Sequence, residues 1–263
     1  MASSKRSAPQ NPSKAKVARS DHGYGDDLSE TVYRQRLLEQ GKYCDLKPGS
    51  RSLDGCLKDP PALPPLAIIR EKSGRDPRLD AGSLYFADFP EFRPNLTPKE
   101  VLLRGSFGGT YFRDIVSAVT GERHVGKEVI QQFPADWFAG LDLDTQVVSS
   151  VYDKNVNRFK VACGGSLGQW ETSGWIAGID PYGWFQWYCH FYLGRRSTDD
   201  ERQVSRWLRG QGSKGRWRLQ LAKKCVDSHA RHDDVRISPV IRQTCQHWAY
   251  ELTAADLAAY ECS

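Results

Sequence analysis

The chain has 263 residues, 39% of them hydrophobic and 26% charged, with eight Trp and a formal net charge of +5. That apolar content is enough to build a sizeable core, and no apolar run approaches the roughly 20 residues that cross a bilayer, so neither a wholly disordered chain nor a membrane-spanning one is expected. Seven Cys, an odd number with no CxxC pair, point to reduced thiols in an intracellular protein rather than to a disulfide framework.

The first 20 residues carry Lys5, Arg6, Lys14, Lys16 and Arg19 and no acid, which equals the net charge, so the remainder is neutral overall. With Ser, Ala, Pro and Gly between the cations, residues 1–26 are expected to form a disordered basic tail. The spacing resembles a bipartite nuclear-import signal, which gives the nucleus as the expected location and the cytoplasm as the alternative. Residues 27–263 are read as a single globular domain. It opens with a helix over 27–40, marked by Leu28, Val32 and Leu38. An extended Pro-rich arm over 45–96 follows, ending in the aromatic anchors LYFADFPEF, and the core occupies 97–263. The fold class is mainly α (α+β with minor β), a compact helical domain with an aromatic-rich core behind the tail.

Thr97-Pro98-Lys99-Glu100 has the pattern of a capping box with Pro in the first turn, predicting a helix to Arg104. The run Gly105–Ile115 then places three glycines within five positions, between Arg104 and Arg113. One reading is an anion-binding loop: Arg104, Gly105, Ser106, Gly108, Gly109, Thr110 and Arg113, using backbone N–H groups and hydroxyls. The plainer reading is a tight turn that packs Phe107, Tyr111 and Phe112 inward. No Gly-Lys-Ser/Thr follows, so this is not a Walker loop. Further on, FPADWFAGL (133–141) reads as a turn and short helix. Val147–Tyr152 and Arg158–Val161 read as short strands around a polar turn, and Ser166–Gly174 as a short helix carrying Trp170.

Trp184, Trp187, Tyr188, Phe191 and Tyr192 fall on one helical face, with Phe185 and Cys189 on most of the rest, so this helix belongs inside the core. Asp180-Pro181 is its expected start and Gly194 its stop. The next segment, 197–209, has Val204, Trp207 and Leu208 on one face and Arg202, Arg206 and Arg209 opposite. A third helix spans 216–227. Between Gln186 and Lys224 there are ten Lys/Arg against three acids, a cationic cluster on a neutral background that suits a polyanion. A solvated, partly salt-bridged face is the bland alternative. Ser238-Pro239 starts the last long helix, with Ile241, Cys245, Trp248 and Leu252 inward and Arg242, Gln243, Gln246, His247 and Tyr250 outward. Thr253 and Asp256 open a terminal helix.

The expected function is a nuclear nucleic-acid-binding protein, for DNA or RNA, or for another polyanion. Arg195, Arg196, Arg202, Arg206, Arg209, Lys214 and Arg216 would contact phosphate, with Arg242, Gln246 and Tyr250 as closer contacts. The alternatives are an enzyme acting on a phosphorylated or other anionic substrate in an Arg/Gly-lined cleft, and a protein–protein interaction module. Cys225, His229 and His232, with His190 or with Cys245 and His247, are a candidate Cys/His set, but Cys245 faces inward and His247 outward on their helix and His229 and His232 lie in a loop, so no metal site and no cofactor is expected. Neither Asp199-Asp200-Glu201 nor Asp233-Asp234 is more than a helix-start acid pair in sequence, and no nucleophile motif is present.

Overall fold

The computed structural model describes residues 82–86 and 88–262. The basic tail, the helix expected over 27–40 and most of the Pro-rich arm lie outside the described residues. Within them the chain is mostly helical around a buried aromatic cluster.

The first helix, α1 (Pro98–Leu103), begins as its sequence dictates: Thr97 and Glu100 cap each other's backbone N–H, with Pro98 inside the first turn. A short antiparallel pair, β1 (Ile115–Val116) and β2 (Arg123–His124), is registered Ile115 to His124. Two four-residue helices follow, α2 (Gly126–Val129) and α3 (Leu143–Gln146), and then α4 (Leu167–Thr172), closed at its start by a Ser166–Gln169 capping box. The two strands expected at 147–152 and 158–161 are absent. Asp153 instead caps a 3-10 turn, and the Asn157 side chain holds Gly108 N–H, Tyr152 Oη and Val161 C=O. One amide makes the bonds that a ladder would have made.

The aromatic helix is α5 (Trp184–Tyr192), with every residue from Trp184 to Phe191 buried. Phe92 stands nearly perpendicular to Tyr188, Phe191 and Trp207 at centroid distances of 5.9, 5.5 and 5.2 Å, so the end of the arm is part of the core. The helix stops at Gly194, which takes φ 100°; the N–H groups of Gly194 and Arg195 return to the carbonyls of Phe191 and His190. That is the Schellman geometry the glycine suggested. Its start differs from expectation. The N-cap is Gly183, and Asp180 is instead wholly buried against the guanidinium of Arg195.

Helices α6 (Asp200–Gln211) and α7 (Arg216–Asp227) follow, then α8 (Pro239–His247) and α9 (Ala254–Glu261). Val204 and Trp207 seat α6 on the aromatic core, and the Trp207 indole donates to Trp248 C=O at 2.8 Å. Leu221, Ala222, Cys225, Cys245 and Leu252 form a second small cluster that joins the last helices. Cys163, Cys189, Cys225, Cys245 and Cys262 are free thiols.

Candidate ligand cleft

Carboxylate partners divide the arginines that the sequence grouped together. Arg195 is 3% exposed and locked to Asp180. Arg196 is held by Asp88 and lies 3.7 Å over the Phe191 ring, and Arg202 is paired with Asp199 one turn earlier on α6. These three are structural struts, so the expected outward stripe is corrected at Arg195, Arg196 and Arg202. Arg104 and Arg158 share Glu251, which ties α1 to the chain beyond α8.

The outward face expected on the last long helix is also corrected. Arg242, Gln246 and Tyr250 are buried, because α8 is covered on both sides. Arg242 donates to the carbonyls of Ile237 and His232, Gln246 to Gly105 C=O and Ser106 Oγ, and Tyr250 to Asp256. Periodicity finds an apolar face but cannot see that the polar face meets a second layer of protein.

That second layer is the glycine loop. Gly105 (φ 86°) and Gly109 (φ 76°) fold so close to neighbouring backbone that an added Cβ would sit 2.1 Å from Val156 O and 2.1 Å from Thr145 O. Gly105, Phe107, Gly108, Gly109 and Thr110 spend their N–H groups on Leu102 C=O, His247 Nε2, Asn157 Oδ1, Ser106 C=O and Phe107 C=O. The Ser106 and Thr110 hydroxyls donate to Val101 C=O and Phe107 C=O. The loop therefore has no set of free amides for an anion, and the tight-turn reading describes it. Arg104 belongs to the Glu251 pair, while Arg113 is held at the end of the loop by its bond to Thr110 C=O.

The cations without a carboxylate partner among the described residues include Arg113, Arg206, Arg209, Lys214 and Arg216. Three of them, Arg113, Arg206 and Arg216, line one open cleft of about 640 Å³. Among the described residues no Asp or Glu lines it. Its walls are aromatic, built largely from Trp170, Trp175, Trp184, Trp217 and Trp248. Trp184 packs on Trp248 at 4.6 Å, and Phe107 lies between Phe185 at 5.0 Å and the stacked His247 ring at 4.1 Å. The volume lies in the range of roughly 300–1,000 Å³ usual for small-ligand sites.

Arg206 sits between two indoles, 5.5 Å from each of the Trp175 and Trp248 ring centres, and donates to Gln203 Oε1. Burial lowers its pKa to about 10, with the Arg202 charge adding to the effect, so it remains a cation at neutral pH. The protein's own guanidinium thus occupies the slot between aromatic faces that would suit a cationic ligand. Arg113 is anchored to Thr110 C=O at 3.0 Å, and Arg216 lies exposed over the Trp217 ring at 4.4 Å. Arg209 and Lys214 are exposed beside Arg216 in sequence.

Two groups of potential chemical interest also line the cleft. The Cys163 thiol lies 3.0 Å from Thr244 Oγ1, and burial pushes its pKa up, which disfavours a nucleophilic thiolate. His247 is 8% exposed, and burial lowers its pKa to about 3, so it is a neutral imidazole. Among the described residues no group of three or more His, Cys, Asp or Glu is placed to hold a metal ion, and no helix is long and apolar enough to cross a membrane.

The arrangement suits a ligand that joins a flat unsaturated ring to an anionic group. Of the cleft's residues, Arg206, Arg216 and Arg113 were visible in the sequence as cations. Trp175, Trp248, His247 and Cys163 were not marked as site residues. The one available signal was Trp placed off the core face or outside a helix, as Trp175 is; it is 47% exposed. No family model, curated protein or solved structure matches the chain.

Proposed function

We propose that the chain associates with nucleic acid as a single strand, with an unpaired base in the aromatic cleft and phosphates at Arg206 and Arg216. The observation that carries this reading is an aromatic concavity with three arginines that, among the described residues, have no carboxylate partner and no acidic neighbour in the lining. Stacking on aromatic faces combined with cationic contacts to the backbone is how single strands are held without sequence readout. A strand, rather than a free nucleotide, is favoured because Arg209, one turn after Arg206 on α6, and Lys214, two residues before Arg216, are exposed and have no carboxylate partner among the described residues. The basic tail supports a nuclear location, and DNA and RNA are equally served by these contacts.

Binding of a labelled twelve-residue single strand and its duplex, followed by anisotropy over a salt series, tests the proposal. The single strand should bind more tightly. Arg206→Ala combined with Arg216→Ala should weaken it at least tenfold and flatten the slope of log affinity against log salt by about 1.4, at roughly 0.7 per single-strand phosphate contact. Equal binding of duplex and single strand, or an unchanged slope in the double variant, would refute it. One observation favours a second reading: the arginines without carboxylate partners among the described residues line a concavity rather than a convex face, as an enzyme for a small phosphorylated substrate requires. Mononucleotides binding as tightly as the oligonucleotide would favour that reading.

A further inference from the structure

We infer that His247 is the residue that selects the ring of the ligand: its Nδ1–H donates to an acceptor atom on the edge of the base, which directs the base inward and leaves the phosphate at Arg216. This inference rests on the nucleotide reading of the cleft.

The hydrogen bonds of His247 fix its tautomer. Its Nε2 lies 2.9 Å from the Phe107 N–H and 3.0 Å from Gln243 Nε2. The orientation of the Gln243 amide is set independently, since its Oε1 accepts from Phe159 N–H at 3.1 Å and its Nε2 donates to Gly105 C=O. Both neighbours of His247 Nε2 are therefore donors, and Nε2 must present its lone pair. The ring proton sits on Nδ1. Among the described residues no acceptor meets Nδ1, although His247 lines the cleft. Nδ1–H is thus the hydrogen-bonding group of the ring that the described residues leave to the cleft, so a ligand that supplies an acceptor there gains selectivity over one that does not.

The plane of the imidazole is fixed as well. Its ring is stacked on Phe107 with an interplanar angle of 18°, and Phe107 is fixed by its own N–H bond to the same imidazole. The donor is thus held by the fold before any ligand arrives. Exposure gives the cleft a direction: His247 is almost wholly buried and neutral, whereas Arg216 is exposed and charged. A ligand with a neutral polar ring at one end and a phosphate at the other matches that gradient in one orientation only.

Two substitutions separate the two ring nitrogens. His247→Gln places an acceptor near the position of Nε2 and removes the donor at Nδ1. His247→Asn places an amide near Nδ1 and removes the acceptor that holds Phe107 N–H. The probes are a twelve-residue thymidine oligonucleotide and an abasic oligonucleotide of equal length and charge. His247→Gln should keep the parent melting temperature, lose about tenfold in affinity for the thymidine strand and leave the abasic strand unchanged. His247→Asn should melt earlier yet keep the parent's preference for the thymidine strand. Should His247→Gln bind the thymidine strand as well as the parent does, or should only His247→Asn lose the preference, His247 is a strut for the loop and the inference fails. Failure of the parent to bind either strand would instead overturn the cleft reading itself.

Discussion

Asp200 stands at the start of α6 with its carboxylate almost wholly buried. It accepts from the Trp187 indole at 2.8 Å, from Ser197 N–H at 2.8 Å and from the Ser197 hydroxyl at 3.0 Å. Burial nevertheless wins over those bonds and raises its pKa from 3.8 to about 6. At 1.36 kcal/mol per unit, the shift corresponds to about 3 kcal/mol. Its sign follows from proton counting. Between the unfolded and folded values the native state binds more protons, so stability is fully present below pH 4 and is lost as pH rises through 6. Asp200→Asn removes the titration while keeping one acceptor for Trp187. Urea unfolding of parent and variant in parallel from pH 4 to pH 7.5 isolates this contribution, because other titrating groups cancel in the difference. The variant should gain on the parent by about 2 kcal/mol across that range, the part of the shift that falls between pH 4 and pH 7.5, beyond a pH-independent loss of about 1 kcal/mol for the bond that an amide cannot accept. A difference that stays flat within about 0.5 kcal/mol would show that the three donors offset the burial fully, and the argument would be wrong.

Arg195→Ala strands Asp180 as an unpaired buried charge and should destabilise by about 3–5 kcal/mol in the same unfolding assay, whereas Arg209→Ala, at an exposed position, should change stability by less than about 0.5 kcal/mol. Equal effects would mean that sorting arginines by their carboxylate partners has no energetic meaning. Arg206→Met should leave melting unchanged or raise it while strand binding falls, since a desolvated cation is exchanged for a well-packed thioether. A stability loss beyond about 2 kcal/mol would identify Arg206 as a strut instead.

What could be read from the sequence is what is local. The Thr97–Glu100 and Thr253–Asp256 capping boxes, the Gly194 stop and the α7 boundaries depend on residues within a turn of one another, and all form. The buried α5 followed from composition alone, because a helix apolar all round has nowhere else to go. Errors arose wherever the partner lay far along the chain. Asp180 resembles a helix cap in sequence because its buried partner, Arg195, lies 15 residues later. Gln243 and Gln246 resembled a solvent face because nothing local shows that they meet the carbonyl of Gly105, more than 130 residues away. A glycine-rich loop resembles an anion nest in sequence whether its amides are free or spent, and only the fold decides. The cleft combines both difficulties, since its walls come from segments between Phe107 and Trp248 that share no motif.

The sorting of charges also supports the proposal that the cleft is a site and not merely a gap. Carboxylates are available throughout this chain and are used: Asp88, Asp180, Asp199 and Glu251 each neutralise an arginine of the aromatic core or the glycine loop. Asp199 lies seven residues before Arg206 on the same helix, yet its oxygens go to Arg202 and Gln203. Arg206 therefore sits between two indoles without a hydrogen-bonded carboxylate among the described residues, and the Asp199 charge offsets its burial only in part. Burial has already stripped water from that guanidinium, as its lowered pKa records. An anion arriving from outside meets a cation that has less hydration to lose and a fork held by two aromatic faces, so more of the attraction is available for binding. Aromatic packing alone would have been served by a methionine or leucine in that position; a charge kept there without a carboxylate partner among the described residues fits the proposed anionic ligand.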